Sequence, residues 1–87
     1  MPKMQMFTIY DRKAEAYAQP VFYPSTGAAI RAFADAVNKP GNDFSAHPED
    51  FMLFHIGSFN EDTAEFINLE KGKIQIADAL NLKEQQN

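Results

Sequence analysis

The chain has 87 residues, no cysteine and a net charge of −4. Absence of cysteine excludes disulfide stapling, thiol catalysis and cysteine-based zinc sites. The acidic balance argues against tight non-specific nucleic-acid binding, which draws most of its affinity from neutralised phosphates. The length fits one domain over residues 1–87 with a modest stability margin. The longest apolar run, Phe51-Met52-Leu53-Phe54, is far too short to span a bilayer. The start, Met1-Pro2-Lys3-Met4, lacks the long apolar stretch of a signal peptide, so the expected location is cytoplasmic, away from membrane.

Met4–Tyr10 alternates loosely and reads as a strand. Asp11–Ala16 is a short polar connection. Tyr17–Tyr23 has strand composition but contains Pro20, which cannot donate to a sheet ladder, so it reads as an edge strand or an extended loop. Ser25-Thr26-Gly27 opens the clearest helix, with Ser25 or Thr26 as N-cap. Ala29, Ile30, Phe33 and Val37 form its apolar stripe, and Asn38-Lys39-Pro40-Gly41-Asn42 ends it. Asp43–Asp50 reads as irregular, with one helical turn at His47-Pro48-Glu49-Asp50. Phe51–Phe59 is the most apolar strand. Asn60-Glu61-Asp62 is a turn, Ala64–Leu69 the returning strand of a hairpin, and Lys71-Gly72-Lys73 a second turn. Ile76, Ala77 and Leu80 recur at helical spacing, which predicts a short helix over Ile74–Leu82, followed by a frayed polar tail over Lys83–Asn87.

These elements predict an α+β domain: a small antiparallel sheet of three to four strands packed against one main helix, with a short C-terminal helix. Phe51, Leu53 and Phe59 lie on one side of the central strand, and Met52, Phe54 and Ile56 on the other. One side suits the helix. The other suits a second protomer, which predicts a homo-oligomer.

Charge is unevenly spread. Residues 1–39 hold five basic and three acidic groups; residues 40–87 hold three basic and nine acidic groups. The segment Tyr10-Asp11-Arg12-Lys13, Tyr17 and Phe22-Tyr23 interleaves cations with aromatic rings. Exposed rings beside Lys and Arg bind single-stranded nucleic acid by stacking. From the residues alone, packing of Tyr17, Phe22 and Tyr23 at the core edge is the favoured alternative, because Asp11 and Glu15 dilute the patch.

No motif assembles catalytic chemistry. Ser25, Ser45 and Ser58 lack a nucleophile-elbow pattern. Thr26-Gly27-Ala28-Ala29 opens a helix that could attract an anion, but it lacks a P-loop lysine. His47, Glu49 and Asp50 are adjacent loop residues, read as caps and not as a metal site, and His55 reads as a hydrogen-bonded sheet histidine. The expectation is a binding protein and not an enzyme, with no cofactor and no metal.

Several stretches carry a family resemblance: Tyr10-Asp11-x-Lys13-Ala14-x-x-Tyr17, Gln19-Pro20-x-Phe22, Ala29-Ile30-Arg31-Ala32-Phe33-Ala34-Asp35-x-Val37-Asn38, and His47-Pro48-Glu49-Asp50-Phe51-x-Leu53-Phe54-x-Ile56-Gly57-Ser58-Phe59-Asn60. Together they resemble the small nonstructural protein of gokushoviruses, microviruses with single-stranded DNA genomes that infect bacteria. The resemblance implies a nonstructural accessory protein acting in host cytoplasm, binding single-stranded DNA during genome replication or packaging. It supplies no catalytic residues. The contacts expected for DNA are Lys3, Arg12, Lys13, Arg31 and Lys39, with Tyr10 and Tyr17 as stacking rings. The alternative is a protein-interaction module that contacts a replication, capsid or host protein through an apolar, acid-rimmed surface.

Overall fold

The structure, a computed structural model, describes residues 3–84. Its frame is two long strands, β1 (Lys3–Asp11) and β4 (Phe51–Asn60), paired antiparallel along nearly their full length. Each outer edge of this pair is occupied by two short strands laid end to end. On the β1 edge, β2 (Ala16–Tyr17) pairs with Tyr10–Asp11 and β3 (Val21–Tyr23) with Gln5–Phe7. On the β4 edge, β5 (Phe66–Asn68) pairs with Gly57–Phe59 and β6 (Ile74–Asp78) with Met52–His55.

The expectation of three to four strands against one main helix is thereby overturned. The sheet has six strands, and the 28% of helix is split among three α segments and one 3₁₀ turn, of which one exceeds seven residues. The reason lies in the edges. Pro20 cannot donate to the ladder, so Tyr17–Tyr23 breaks at Ala18–Pro20 into two strands, both on an edge. The predicted helix over Ile74–Leu82 is mostly β6. Between Leu53 and Phe54 the β6 register advances from Ala77 to Gln75, leaving Ile76 as a bulge. That extra residue breaks the period-two alternation and places Ile76 and Ala77 side by side, mimicking helical spacing. A second bulge at Ile56 accompanies the shift between Met6 and Phe7 on β1.

All helices lie on one face. α1 (Thr26–Val37) is capped by Ser25 Oγ, which accepts from Ala28 N at 3.1 Å, and buries Ala29, Phe33 and Val37. The three lie four apart, on one face of the helix. They meet Phe7, Phe51 and Leu53 from the sheet to form the core. The stretch read as irregular contains α2 (Asp43–Ala46), capped by Asn42, and a 3₁₀ turn at Pro48–Asp50. α2 brings Phe44 between Phe33 (5.7 Å) and Phe51 (4.8 Å) in edge-on contacts.

α3 (Ala79–Leu82) follows β6 directly, with Asp78 as its N-cap. The residues after it are tied down where fraying was expected. Lys83 Nζ donates to Ser45 Oγ at 2.8 Å and to the Ser45 and Val37 carbonyls, and Glu84 N donates to Asn38 Oδ1 at 2.7 Å. A lysine placed there satisfies carbonyls at the ends of α1 and α2. The remaining three residues of that expected tail lie outside the described residues.

Gly57 sits where β4 meets β5. A Cβ there would collide with the Ile67 carbonyl oxygen and come within 3.0 Å of Met6 Cε. Gly57→Ala is expected to destabilise the protein by about 1–3 kcal/mol, the usual cost of overpacking. Because the obstacle is β5 backbone, hydrogen exchange should accelerate first at the β4–β5 amides; unchanged protection there would contradict this placement.

Candidate nucleic-acid interface

No helix among the described residues covers the sheet face opposite α1, although Met6 and Thr8 at its middle are buried. Residues directly opposite in an antiparallel pair share a face. Pairing therefore puts Tyr10 with Tyr17 and Met52, Thr8 with Phe54, and Met4 with Phe59 and Phe66 on this open side. The rings form two contact groups. At one end Tyr10 lies 4.7 Å from Tyr17, and Tyr17 lies 5.7 Å from Phe54. At the other end Phe59 lies between Phe22 and Phe66.

Tyr17 is 47% exposed and Phe22 41%, so packing at the core edge does not consume them. Tyr10 is partly buried. Tyr23 points the other way and packs against the core, 6.1 Å from Phe7. The Tyr10–Tyr23 segment thus divides between the two faces.

The β1–β2 turn brings four of the seven expected DNA contacts together: Tyr10, Arg12, Lys13 and Tyr17. Asp11 Oδ1 accepts from Lys13 N (3.0 Å) and Ala14 N (3.3 Å), which closes the turn. The Asp11 carboxylate is thus engaged by backbone. The Arg12 guanidinium contacts Met52 Sδ at 3.7 Å, beside Tyr10 on the open side.

The other three expected contacts are not brought to this group. Arg31 is exposed on α1, and Lys39 follows its C-terminus, both in the helix layer. Lys3 starts β1; at about 3.4 Å per residue the far end of that strand is about 27 Å from the Tyr10 turn.

Two cations that sequence reading passed over as a turn stand in their place. Lys71-Gly72-Lys73 connects β5 to β6, turning at Gly72 with φ +85°. Lys73 Nζ lies 5.8 Å from the Tyr17 ring centroid, within cation–π range. Between this loop and the Tyr17–Pro20 segment opens a cleft of about 480 Å³, lined in part by Thr8, Ile56, Lys71 and Lys73. Thr8 Oγ1 donates to the Ala18 carbonyl at 2.6 Å and Ala18 N to the Ile9 carbonyl at 2.8 Å, fixing that wall. The pairing of Lys73 with Tyr17 spans 56 residues of sequence, and no local pattern could announce it.

Two other groups are accounted for structurally. His55 stacks on Phe7 at 5.0 Å, and its Nε2 lies 3.0 Å from Gln5 Oε1 and 3.1 Å from the Gly57 carbonyl oxygen. Two acceptors assign the proton to Nε2. His47, Glu49 and Asp50 do converge, with ligand atoms within 4.8 Å of one another. His47 and Glu49 are exposed and 3.9 Å apart, and the acidic pair sits in the first turn after Pro48. Such an open cluster defines no site by itself. No helix among the described residues is long and apolar enough to cross a membrane.

Comparison with known proteins gives two findings. Residues 4–82 match the family described as Phage ORF5 protein. The chain is 38% identical over 80 residues to Protein ORF5 of Chlamydia phage 1, an overlap that covers 87% of this chain and 83% of that relative. No solved structure matches it.

Proposed function

The chain belongs to the phage ORF5 protein family, and from that premise we propose that it binds single-stranded DNA on the open face of its sheet. In this reading it is an accessory protein of genome replication or packaging in host cytoplasm, and it acts by binding and not by catalysis. One observation carries the reading: the Tyr10–Tyr17–Phe54 ring group lies under Lys73 and beside Arg12. Bases stack on such rings in any sequence, while neighbouring cations meet the phosphates.

Net charge of −4 weakens this binding at long range, and the local arrangement supports it at short range. Lys71 and Lys73 line the cleft beside Tyr17 and Arg12 reaches Met52 beside Tyr10, while Asp11, Glu15 and Glu70 adjoin them in sequence. Association of several copies would add their faces together and offset a weak single site.

The experiment is fluorescence anisotropy with labelled single-stranded DNA across a range of salt. Affinity is expected to fall as salt rises, with roughly 0.7 of log–log slope for each phosphate contact. Replacing both Lys71 and Lys73 with Ala should flatten the slope; Arg31→Ala should leave it unchanged. Absence of binding at low salt, or binding indifferent to salt, would sink the reading.

A further inference from the structure

At the end of the open face remote from Tyr10 and Tyr17 lies a second cavity, of about 430 Å³. Met4, Phe22, Phe59 and Phe66 line it, and its charged member is Glu61. Phe59 holds Phe22 at 5.9 Å and Phe66 at 5.1 Å. Phe66 is 64% exposed, the most exposed large apolar side chain described. A contiguous apolar patch of this kind, left in water by folding, marks an interaction surface.

Charge decides what it takes. Glu61, Asp62 and Glu65 stand on the turn between β4 and β5, against one charged side chain of opposite sign among the described residues there, Lys3, whose register partner is Asn60. Three carboxylates repel phosphate and attract ammonium and guanidinium groups. The turn is held in place: Asn60 Oδ1 accepts from Asp62 N at 2.8 Å and Thr63 N at 3.3 Å, and Thr63 Oγ1 donates to Glu65 Oε1 at 3.0 Å. The backbone that carries the acidic rim is therefore preorganised.

We infer that this cavity docks a cationic protein segment, which inserts a bulky apolar side chain among Met4, Phe22, Phe59 and Phe66 while flanking Lys or Arg side chains meet Glu61, Asp62 and Glu65. An apolar anchor in a pocket, ringed by opposite charges, supplies affinity at the centre and selectivity at the rim. The site shares no residue with the Tyr10–Tyr17 group and stands whether or not that group binds DNA.

The test uses three synthetic hexapeptides: Arg-Lys-Leu-Phe-Lys-Arg, the same centre flanked by Glu and Asp, and the same basic flanks around Ser-Ser. Each is titrated into the full chain with isotope-labelled methionine methyl groups and backbone amides. The basic apolar peptide is expected to shift the Met4 methyl and the Glu61 and Phe66 amides, leaving the Met52 methyl and Tyr17 amide in place. Either control peptide, and the Glu61→Lys/Glu65→Lys double variant, should bind at least about fivefold more weakly, the ratio for roughly 1 kcal/mol. Both substitutions are on an exposed turn, and the control peptides carry the test should the variant misfold. Equal binding of the three peptides, no shift at Met4 at millimolar peptide, or oligothymidylate shifting Met4 and displacing the peptide would each overturn the inference.

Discussion

Replacing Tyr17 with alanine weakens single-stranded DNA binding by about 1–3 kcal/mol, roughly 5- to 150-fold, the range for losing one stacked base. Tyr17 has the largest expected effect because three observations converge on it. Its ring is half exposed, it touches both Tyr10 and Phe54, and Lys73 Nζ stands over it. Removing the ring deletes a stacking surface and leaves Lys73 without its cation–π partner. Tyr17→Phe keeps the face and should retain affinity within about twofold, because stacking is a property of the ring and needs no hydroxyl. Titration of both variants with labelled oligothymidylate checks this; an alanine variant that binds like the parent would remove Tyr17 from the interface. The substitution lies in a two-residue edge strand outside the core, so thermal unfolding should change little.

Phe7→Ala is expected to cost about 3–5 kcal/mol of stability, against a total of roughly 5–15 kcal/mol for a domain of ordinary stability. Phe7 is fully buried at the centre of β1, where the chain bends round the Ile56 bulge. It stacks on His55, contacts Tyr23 and belongs to the cluster that joins the sheet to α1. Its removal leaves a cavity bounded by both long strands, and neither strand can move inward without breaking the β1–β4 ladder. Denaturant unfolding measures the loss. A cost below about 1 kcal/mol would mean that the core is not centred where Phe7 lies.

The parts of the fold legible in sequence are those specified locally. β1 and β4 announce themselves by dense apolar residues, and α1 by Ser25, its four-residue apolar spacing and the breakers after Val37. Of the sheet edges, the Pro20-broken stretch over Tyr17–Tyr23 and the hairpin strand over Ala64–Leu69, which contains β5, were legible, whereas β6 was not, because it carries a bulge that imitates a helix. Its pairing is decided by β4 and not by its own sequence, since strand preference depends on neighbours. α2 escaped because four residues around Phe44 offer no period to detect.

The candidate interface was half legible for the same reason. Tyr10, Arg12, Lys13 and Tyr17 are near in sequence and remain near in space. Lys71, Lys73 and Phe54 join them through tertiary structure, and Arg31 and Lys39 depart with the helix layer. Net charge predicted a handicap for DNA binding; the fold answers part of it by gathering cations near one ring group and carboxylates near the other.

The most direct test that the open face is where DNA binds is a signal-by-signal map of the protein during titration with oligothymidylate at low salt. The predicted result is that signals of Tyr10, Tyr17, Phe54, Lys71, Gly72 and Lys73 shift together, while those of Arg31 and Lys39 stay in place. Shifts centred on α1, or no shifts on the sheet at all, would contradict it.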